Sequence, residues 1–133
     1  MIFTTYFAQL RNLPENIVPV SICGRAPDWY TGLQYKKLAP KWSFFQEWKR
    51  NHDNNYYVER FNAEVLVPLA AWQVVEELQA KLPDAAKDIA LVCYEKPGDF
   101  CHRHLVADWL CENCIECREW KNEEYEQRRL EEN

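Results

Sequence analysis

The chain has 133 residues and a net charge of −5; 47% of its residues are hydrophobic and 28% are charged. This balance is typical of one soluble globular domain and excludes disorder as a description of the whole chain. The three glycines are Gly24, Gly32 and Gly98, and their spacing excludes both a GxGxxG fingerprint and a Walker A loop.

The charges are distributed unevenly along the chain. Residues 1–60 hold eight Lys and Arg against five Asp and Glu, whereas residues 61–133 hold eight against sixteen. Because most non-specific affinity for nucleic acid comes from neutralising phosphates, the acidic total argues against duplex nucleic acid as a partner. The more basic first half favours a small anionic ligand instead.

The sequence also bears on cellular location. No apolar stretch reaches the roughly 18 residues of a membrane span, and no signal peptide is visible, so we expect a cytoplasmic protein with no membrane partner. In that compartment cysteines are predicted to be reduced thiols rather than a disulfide framework. The six cysteines are Cys23, Cys93, Cys101, Cys111, Cys114 and Cys117.

Two strand-like segments open the chain. Residues 2–7 (IFTTYF) and 17–23 (IVPVSIC) are apolar runs of strand length. Pro19 has no N–H, which predicts that the second strand is paired on only one side at that position. A long loop over residues 25–40 follows, and loops of this length in compact domains are usually functional.

Helical periodicity dominates the middle of the chain, where helices are predicted over residues 41–50, 56–66 and 68–82. In the first helix, core positions are predicted for Trp42, Phe45 and Trp48, which are three residues apart. In the last helix, an apolar stripe is formed by Leu69, Trp72, Val75, Leu78 and Leu82.

The last part of the chain returns to strand patterns. Residues 88–94 (DIALVCY) are apolar on both faces, as in a central strand of a covered parallel sheet. A helix over residues 100–111 and a half-exposed edge strand over residues 115–120 follow. The remaining residues, 121–133, are predicted to be a charged helix or tail.

This order of elements predicts one domain over residues 1–133. Its fold class is α/β, with three layers around a Rossmann-like, mostly parallel sheet. Ligands of such sheets bind beyond the carboxyl ends of the strands. We therefore expect a site between the loops that follow Cys23 and Tyr94.

The segment after the central strand, CYEKPGDFCHRH, has the highest density of chemically reactive side chains. Cys101 is predicted to lie in the first turn of a helix beside His102 and Arg103, and both the helix dipole and these neighbours favour a thiolate. His102 can act as a base, Arg103 can hold an oxyanion, and Glu95 can act as an acid, a base or a nucleophile.

A structural interpretation of the same segment stays open. Asp99 stands where an N-cap residue belongs, and its carboxylate would occupy amide donors that an anion needs. His102 and Arg103 would then decorate the helix, and Cys101 would pack against it.

The pairing of Cys93-Tyr94-Glu95-Lys96 with Cys101-His102-Arg103 resembles the signature of the DUF488 family of small proteins of unknown function. The likeness extends to a second strand and loop of the form PVSICG.AP.WY.G..YKKLAP and to a last strand of the IxCxEW kind. Many members have an Asp-x-Arg at the end of the second strand, where this sequence has Ser21 to Arg25. The resemblance strengthens the assignment of a site to Glu95, Cys101, His102 and Arg103.

Cys111, Cys114 and Cys117 have a spacing that resembles a metal or iron–sulfur site, with Cys101 and His102 as further ligands. The predicted elements argue against this, because Cys111 closes a helix, Cys114 occupies the turning position after it and Cys117 lies on the next strand. We therefore predict no metal site and no cofactor.

We expect a pocket for a nucleotide-like or other anionic ligand. The predicted ligand-binding residues are Arg103, Arg25, Trp29, Tyr30, Tyr35 and Lys36, because aromatic rings stack on bases and cations hold phosphates. An enzyme of this kind would use Glu95, Cys101 and His102 for transfer or hydrolysis at a nucleoside or phosphoryl-type centre. The alternatives are a non-catalytic binding or sequestering module and, with less support, a metal-binding or redox thiol protein.

Overall fold

A computed structural model describes residues 1–84, 87–96 and 98–122 of the chain. Within these ranges, one parallel sheet is formed by Ile2–Tyr6 (β1), Ile17–Ser21 (β2), Leu33–Gln34 (β3), Asp88–Cys93 (β4) and Cys117–Glu119 (β5), in the order β3-β2-β4-β1-β5. The α-helices are Trp42–Asn51 (α1), Asn54–Phe61 (α2), Ala71–Lys81 (α3) and His102–Glu112 (α4). The predicted single-domain α/β fold with a parallel sheet is confirmed.

Strand β4 lies at the centre of the sheet because it is apolar on both faces. Its last five residues are all buried, and it pairs with β1 on one side and with β2 on the other. At Pro19 the pairing is one-sided, since β3 reaches only Val20 and Ser21. The missing N–H of Pro19 therefore costs the sheet no ladder bond on that side.

An aspartate side chain caps the first turn of α2, and shorter helical turns supplement the four described α-helices. The Asp53 carboxylate caps α2 by accepting from the backbone N–H groups of Asn55 (3.0 Å) and Tyr56 (3.3 Å). A π-helical turn, Asn62–Leu66, continues α2, and 3₁₀ turns occupy Phe7–Asn12 and Lys36–Leu38. Among the described helices, none has the length and apolar character needed to cross a bilayer.

Two aromatic residues predicted to be core are exposed instead. On α1 the buried side chain is Phe44, which packs edge-on against Tyr57 at 5.4 Å, whereas Trp42 is 66% exposed. On α3 the inward stripe includes Val74, and Trp72 is 60% exposed. The predictions for Trp42 and Trp72 were wrong because each helix turns a nearby position, Phe44 or Val74, into the core instead.

The C-terminal end of α4 is a Schellman motif. Cys114 has a φ of 64° and its N–H donates to the Cys111 carbonyl, while the Ile115 N–H donates to Leu110. This confirms the turning role predicted for Cys114. The predicted edge strand is confirmed as β5, and most of the charged segment predicted for residues 121–133 lies outside the described residues.

Helix α4 begins two residues later than predicted. Its N-cap residue is Cys101, and no described side chain caps the first turn. The prediction that Asp99 is the N-cap was therefore wrong. The first amide N–H groups of α4 are left for other partners.

Candidate functional site

A cavity of about 730 Å³ opens beyond the carboxyl ends of β2 and β4. The strand register aligns Ser21 with Val92 and Tyr6 with Cys93, so three strands end at the same level. The chain segments that follow β2 and β4 therefore meet above the sheet. We call this cavity the strand-end cleft; its cysteines and its charged and histidine side chains are Cys23, Arg25, Lys49, Cys93, Glu95, Cys101 and His102.

Five aromatic side chains that contact one another form one wall of the strand-end cleft: Trp42, Phe45, Trp48, Tyr57 and Phe100. Tyr94 also lines the cleft, but its ring packs against Phe7 at 5.0 Å instead. Trp48 lies at the middle of this wall, with its ring centroid 5.3 Å from that of Tyr57 and 5.6 Å from that of Phe100. The spacing of three residues along α1 thus marks a face that lines a cavity. Sequence periodicity assigned this face to the core, and Phe45 and Trp48 do pack half-buried against the core while also lining the cavity.

The rim of the cleft carries charges of both signs. Arg25 follows β2, and its side chain is 89% exposed, with a long contact of 3.8 Å to the Asp28 carboxylate. The Tyr94 hydroxyl donates to the Arg25 carbonyl at 2.6 Å and links the two segments. Glu95 is exposed, and the Lys49 ammonium lies 4.9 Å from the centre of the Phe45 ring.

Cys93 and Cys101 are joined by a disulfide at the base of the cleft. This overturns the prediction that all six cysteines are reduced thiols, although Cys23, Cys111, Cys114 and Cys117 are free. Neither sequence spacing nor composition pointed to this pair. The bond ties the end of the central strand to the N-cap of α4, so in this state Cys101 has no thiol to offer as a nucleophile.

The buried His102 side chain anchors the start of α4 to the end of β2. Its Nε2 lies 2.7 Å from the Ile22 carbonyl oxygen. A carbonyl only accepts, so Nε2 carries the proton and donates. Burial, with the positive charge of Arg103 adding to it, lowers the pKa of His102 to about 4, while the bond to Ile22 acts in the opposite direction. The ring is therefore neutral at physiological pH.

Arg103 lies beneath the cleft rather than in it, with no exposed surface. Its Nε and Nη2 donate to the two carboxylate oxygens of Glu119 at 3.0 and 2.9 Å. Nη1 donates to the Cys93 sulfur at 3.2 Å and to the Glu95 carbonyl. Thr4 donates to the same Glu119 carboxylate at 2.7 Å, which completes a buried polar network. The guanidinium is thus directed at protein groups.

The other predicted ligand residues lie outside the cleft. Trp29 packs edge-on against Phe7 with 5.9 Å between ring centroids, and the Tyr30 hydroxyl donates to the Leu33 carbonyl at 2.6 Å. Burial raises the pKa of Tyr30 to about 12. The Tyr35 hydroxyl donates to Glu77, and Lys36 lies exposed in a 3₁₀ turn.

Within the described residues, the donor atoms of Cys93, Cys101 and His102 lie within 4.8 Å of one another. Both sulfurs are committed to the disulfide, and Nε2 donates to Ile22, so this cluster presents no ready set of metal ligands. A second cavity of about 730 Å³ adjoins β5 and involves Phe3, Pro14 and Arg118, none of which is a predicted site residue.

The comparisons with known proteins identify the family. Residues 6–114 match the model of DUF488-N3a, described as the active DUF488-N3 subclade. This match covers most of the chain, and the chain belongs to the DUF488 family, as the resemblance predicted. Neither the curated proteins nor the solved structures contain a match to it.

Proposed function

We propose that the strand-end cleft binds a nucleotide-like anionic ligand and that Glu95 is the group that reacts with it. One observation carries this proposal: a single cavity combines an aromatic wall, two basic side chains and an exposed carboxylate beyond the ends of parallel strands. Open α/β sheets bind their ligands at this edge. The proposal keeps the cytoplasmic location that the sequence predicts.

Each part of the ligand has a partner in the cleft. A flat base can stack on Trp42, Phe45 or Trp48, and such stacking stabilises binding by about 1–3 kcal/mol per base. Arg25 and Lys49 supply positive charge for the anionic part. The uncapped first turn of α4 adds backbone N–H groups and the positive end of the helix dipole.

Arg103 has a different role in this proposal from the one that the sequence suggested. Its four hydrogen bonds within the described residues are all to protein groups, and it has no exposed surface. Arg103 is therefore a positioning residue, and its bond to the Glu95 carbonyl fixes the backbone from which the Glu95 carboxylate projects.

Glu95 is the best placed group for chemistry. His102 is neutral and its Nε2 proton is engaged with Ile22, while Cys101 is held in the disulfide. A carboxylate can act as a nucleophile or as a general base toward water. Transfer or hydrolysis at a nucleoside or phosphoryl-type centre needs such a group, and the description of the subclade as active supports turnover.

The alternative is a binding module without turnover. It is favoured because His102 Nε2 and the Arg103 guanidinium already form hydrogen bonds with other protein groups. Few polar groups are therefore left in the cleft to assist a reaction. Glu95→Gln separates the two functions. Whether the protein is an enzyme or a binding module, this variant should bind the anionic ligand equally well or more tightly, because a carboxylate that repels the anion is removed. Only an enzyme would also lose its turnover.

The test begins with a thermal-shift screen of nucleotides and nucleosides, followed by chromatography of each stabilising compound for products. For the hits, Arg25→Ala should weaken binding by about 10-fold or more, as expected for loss of a charge-assisted contact. Lys36→Ala is its control, since Lys36 is exposed outside the cleft. Equal losses in both variants would contradict the placement of the anion.

Two exposed tryptophans test the aromatic wall. Trp42→Ala removes a stacking surface from the cleft and should weaken binding by about 5- to 150-fold, the equivalent of 1–3 kcal/mol. Trp72→Ala removes a similarly exposed ring from α3, outside the cleft, and should leave affinity unchanged. If no compound stabilises the protein, or if Trp72→Ala weakens binding as much as Trp42→Ala, the cleft is not the site.

A further inference from the structure

Cys93 and Cys101 stand apart from the other thiols of the chain by their surroundings. They are eight positions apart in the sequence and are brought together where β4 ends and α4 begins. Both line the strand-end cleft, Cys93 with 1% and Cys101 with 8% of its surface exposed. Cys101 is thus the one of the pair that a small molecule in the cleft meets first.

Two sources of positive potential lie beside this pair. The buried guanidinium of Arg103 lies 3.2 Å from the Cys93 sulfur, and Cys101 is the N-cap residue of α4, where the helix dipole is positive. Both features stabilise a thiolate once the bond is reduced, and the thiolate is the nucleophile in thiol chemistry.

Cys23 in the same cleft provides the contrast. It is a free thiol, and burial raises its pKa to about 12, so it stays protonated at neutral pH. Burial likewise raises the pKa of Cys117 to about 12. The cleft therefore holds an inert thiol next to a pair that is arranged for reaction.

We propose that Cys93 and Cys101 form a redox-active pair, in which Cys101 reduces small hydroperoxides that enter the cleft and Cys93 then closes the disulfide. The Cys101 thiolate attacks the terminal oxygen of the hydroperoxide, the O–O bond breaks, and the alcohol leaves with a proton. Cys101 becomes a sulfenic acid. The Cys93 thiolate attacks its sulfur, hydroxide leaves and takes up a proton as water, and the two thiols have supplied the two electrons.

This activity does not depend on the ligand proposed above. It needs only access to Cys101 through the cleft, and the aromatic wall favours organic hydroperoxides as well as hydrogen peroxide. An external dithiol reduces the Cys93–Cys101 disulfide by exchange, which restores both thiols, and is itself oxidised to a disulfide. Failure of the nucleotide screen would leave this inference intact, and its own failure would leave the nucleotide proposal intact.

The experiment starts from fully reduced protein treated with one equivalent of hydrogen peroxide. Titration of thiols after denaturation should fall from six per chain to the four that are free in the structure. Trypsin keeps both cysteines in one peptide, residues 88–103, because Lys96 precedes a proline. That peptide should lose the mass of two hydrogens.

Matched variants assign the steps. Cys101→Ser should oxidise at least about tenfold more slowly than wild type, because the accessible thiolate is gone. Cys93→Ser should stop at a sulfenic acid on Cys101, which dimedone traps. Cys23→Ala removes the inert thiol of the same cleft and should still lose two thiols at the wild-type rate.

Three results would overturn the proposal. The first is that peroxide leaves residues 88–103 reduced, or forms a disulfide only among Cys111, Cys114 and Cys117. The second is that Cys23→Ala slows oxidation as much as Cys101→Ser. The third is stoichiometric zinc in the reduced protein that is lost in both Cys93→Ser and Cys101→Ser. The wild-type peptide map decides the question even if a serine variant fails to fold.

Discussion

The buried His102 should make the stability of the fold depend on pH. In the folded chain its pKa is lowered from 6.5 to about 4, mainly by burial. In the unfolded chain the ring is hydrated and titrates near 6.5. Between these two values the unfolded state binds more protons than the folded state. The contribution is therefore fully present above pH 6.5 and is lost as the pH falls toward 4.

The size of the effect follows from the two pKa values. Lowering the pH from about 7.5 to about 5 should remove about 2 kcal/mol of the free energy of unfolding through His102, and the full loss below pH 4 is about 3 kcal/mol. A domain of this size has a total stability of about 5–15 kcal/mol, so the effect is large enough to measure.

The contribution of His102 to the free energy of unfolding can be measured by urea unfolding, with tryptophan fluorescence as the signal. His102→Gln keeps an N–H donor for the Ile22 carbonyl but does not titrate. The stability difference between wild type and His102→Gln should therefore change by about 2 kcal/mol between about pH 7.5 and 5. The pKa of the partly buried His104 is also lowered by burial, but His104 is present in both proteins and cancels.

His52→Asn serves as the control for a histidine outside the core. His52 is exposed and has a φ of 53°, a conformation that asparagine tolerates, so this variant should follow the wild-type pH profile. Parallel profiles for wild type and His102→Gln would refute the reasoning. So would an NMR titration in which the His102 ring protonates near 6.5 in the folded protein.

Two further predictions concern the stability of α4 and its buried ion pair. Cys114→Gly should stabilise the fold by about 0.5–1 kcal/mol in thermal unfolding, because glycine accepts the left-handed conformation without a Cβ, whereas Cys111→Gly in the last helical turn should destabilise it by a similar amount. Glu119→Gln leaves the buried Arg103 without its counter-charge and should cost about 2–3 kcal/mol in denaturant unfolding. Its control, the exposed Glu116→Gln, should change stability by less than about 0.5 kcal/mol.

The fold was predictable where local signals were strong. The apolar run of β4 identified a central strand, and Pro19 indicated one-sided pairing. The left-handed turn at Cys114 followed from the helix and strand on either side of it. Each of these depends on a few adjacent residues, which is the range over which sequence patterns are informative.

The candidate site was less predictable because its contacts join distant parts of the chain. Arg103 pairs with Glu119 only because β5 lies next to β1, and nothing near either residue indicates that order. The three-residue spacing of Trp42 and its neighbours marks a helix face but does not say whether that face meets the core or a cavity. The Cys93–Cys101 bond requires the turn between them to fold back, which composition does not show.

The sequence Cys101-His102-Arg103 holds the beginning of α4 to three strands at once. The Cys101 sulfur is bonded to Cys93 at the end of β4, the His102 imidazole donates to the residue after β2, and the Arg103 guanidinium donates to Glu119 on β5. Substitutions in this triplet should therefore change stability first, and loss of activity alone would not identify a catalytic group there. Evidence for reaction with the nucleotide-like ligand therefore has to come from exposed side chains on the rim, with Glu95 foremost, whose replacement leaves this anchor intact. The thiol chemistry proposed for Cys101 is tested separately by the wild-type peptide map, which requires no substitution in the triplet.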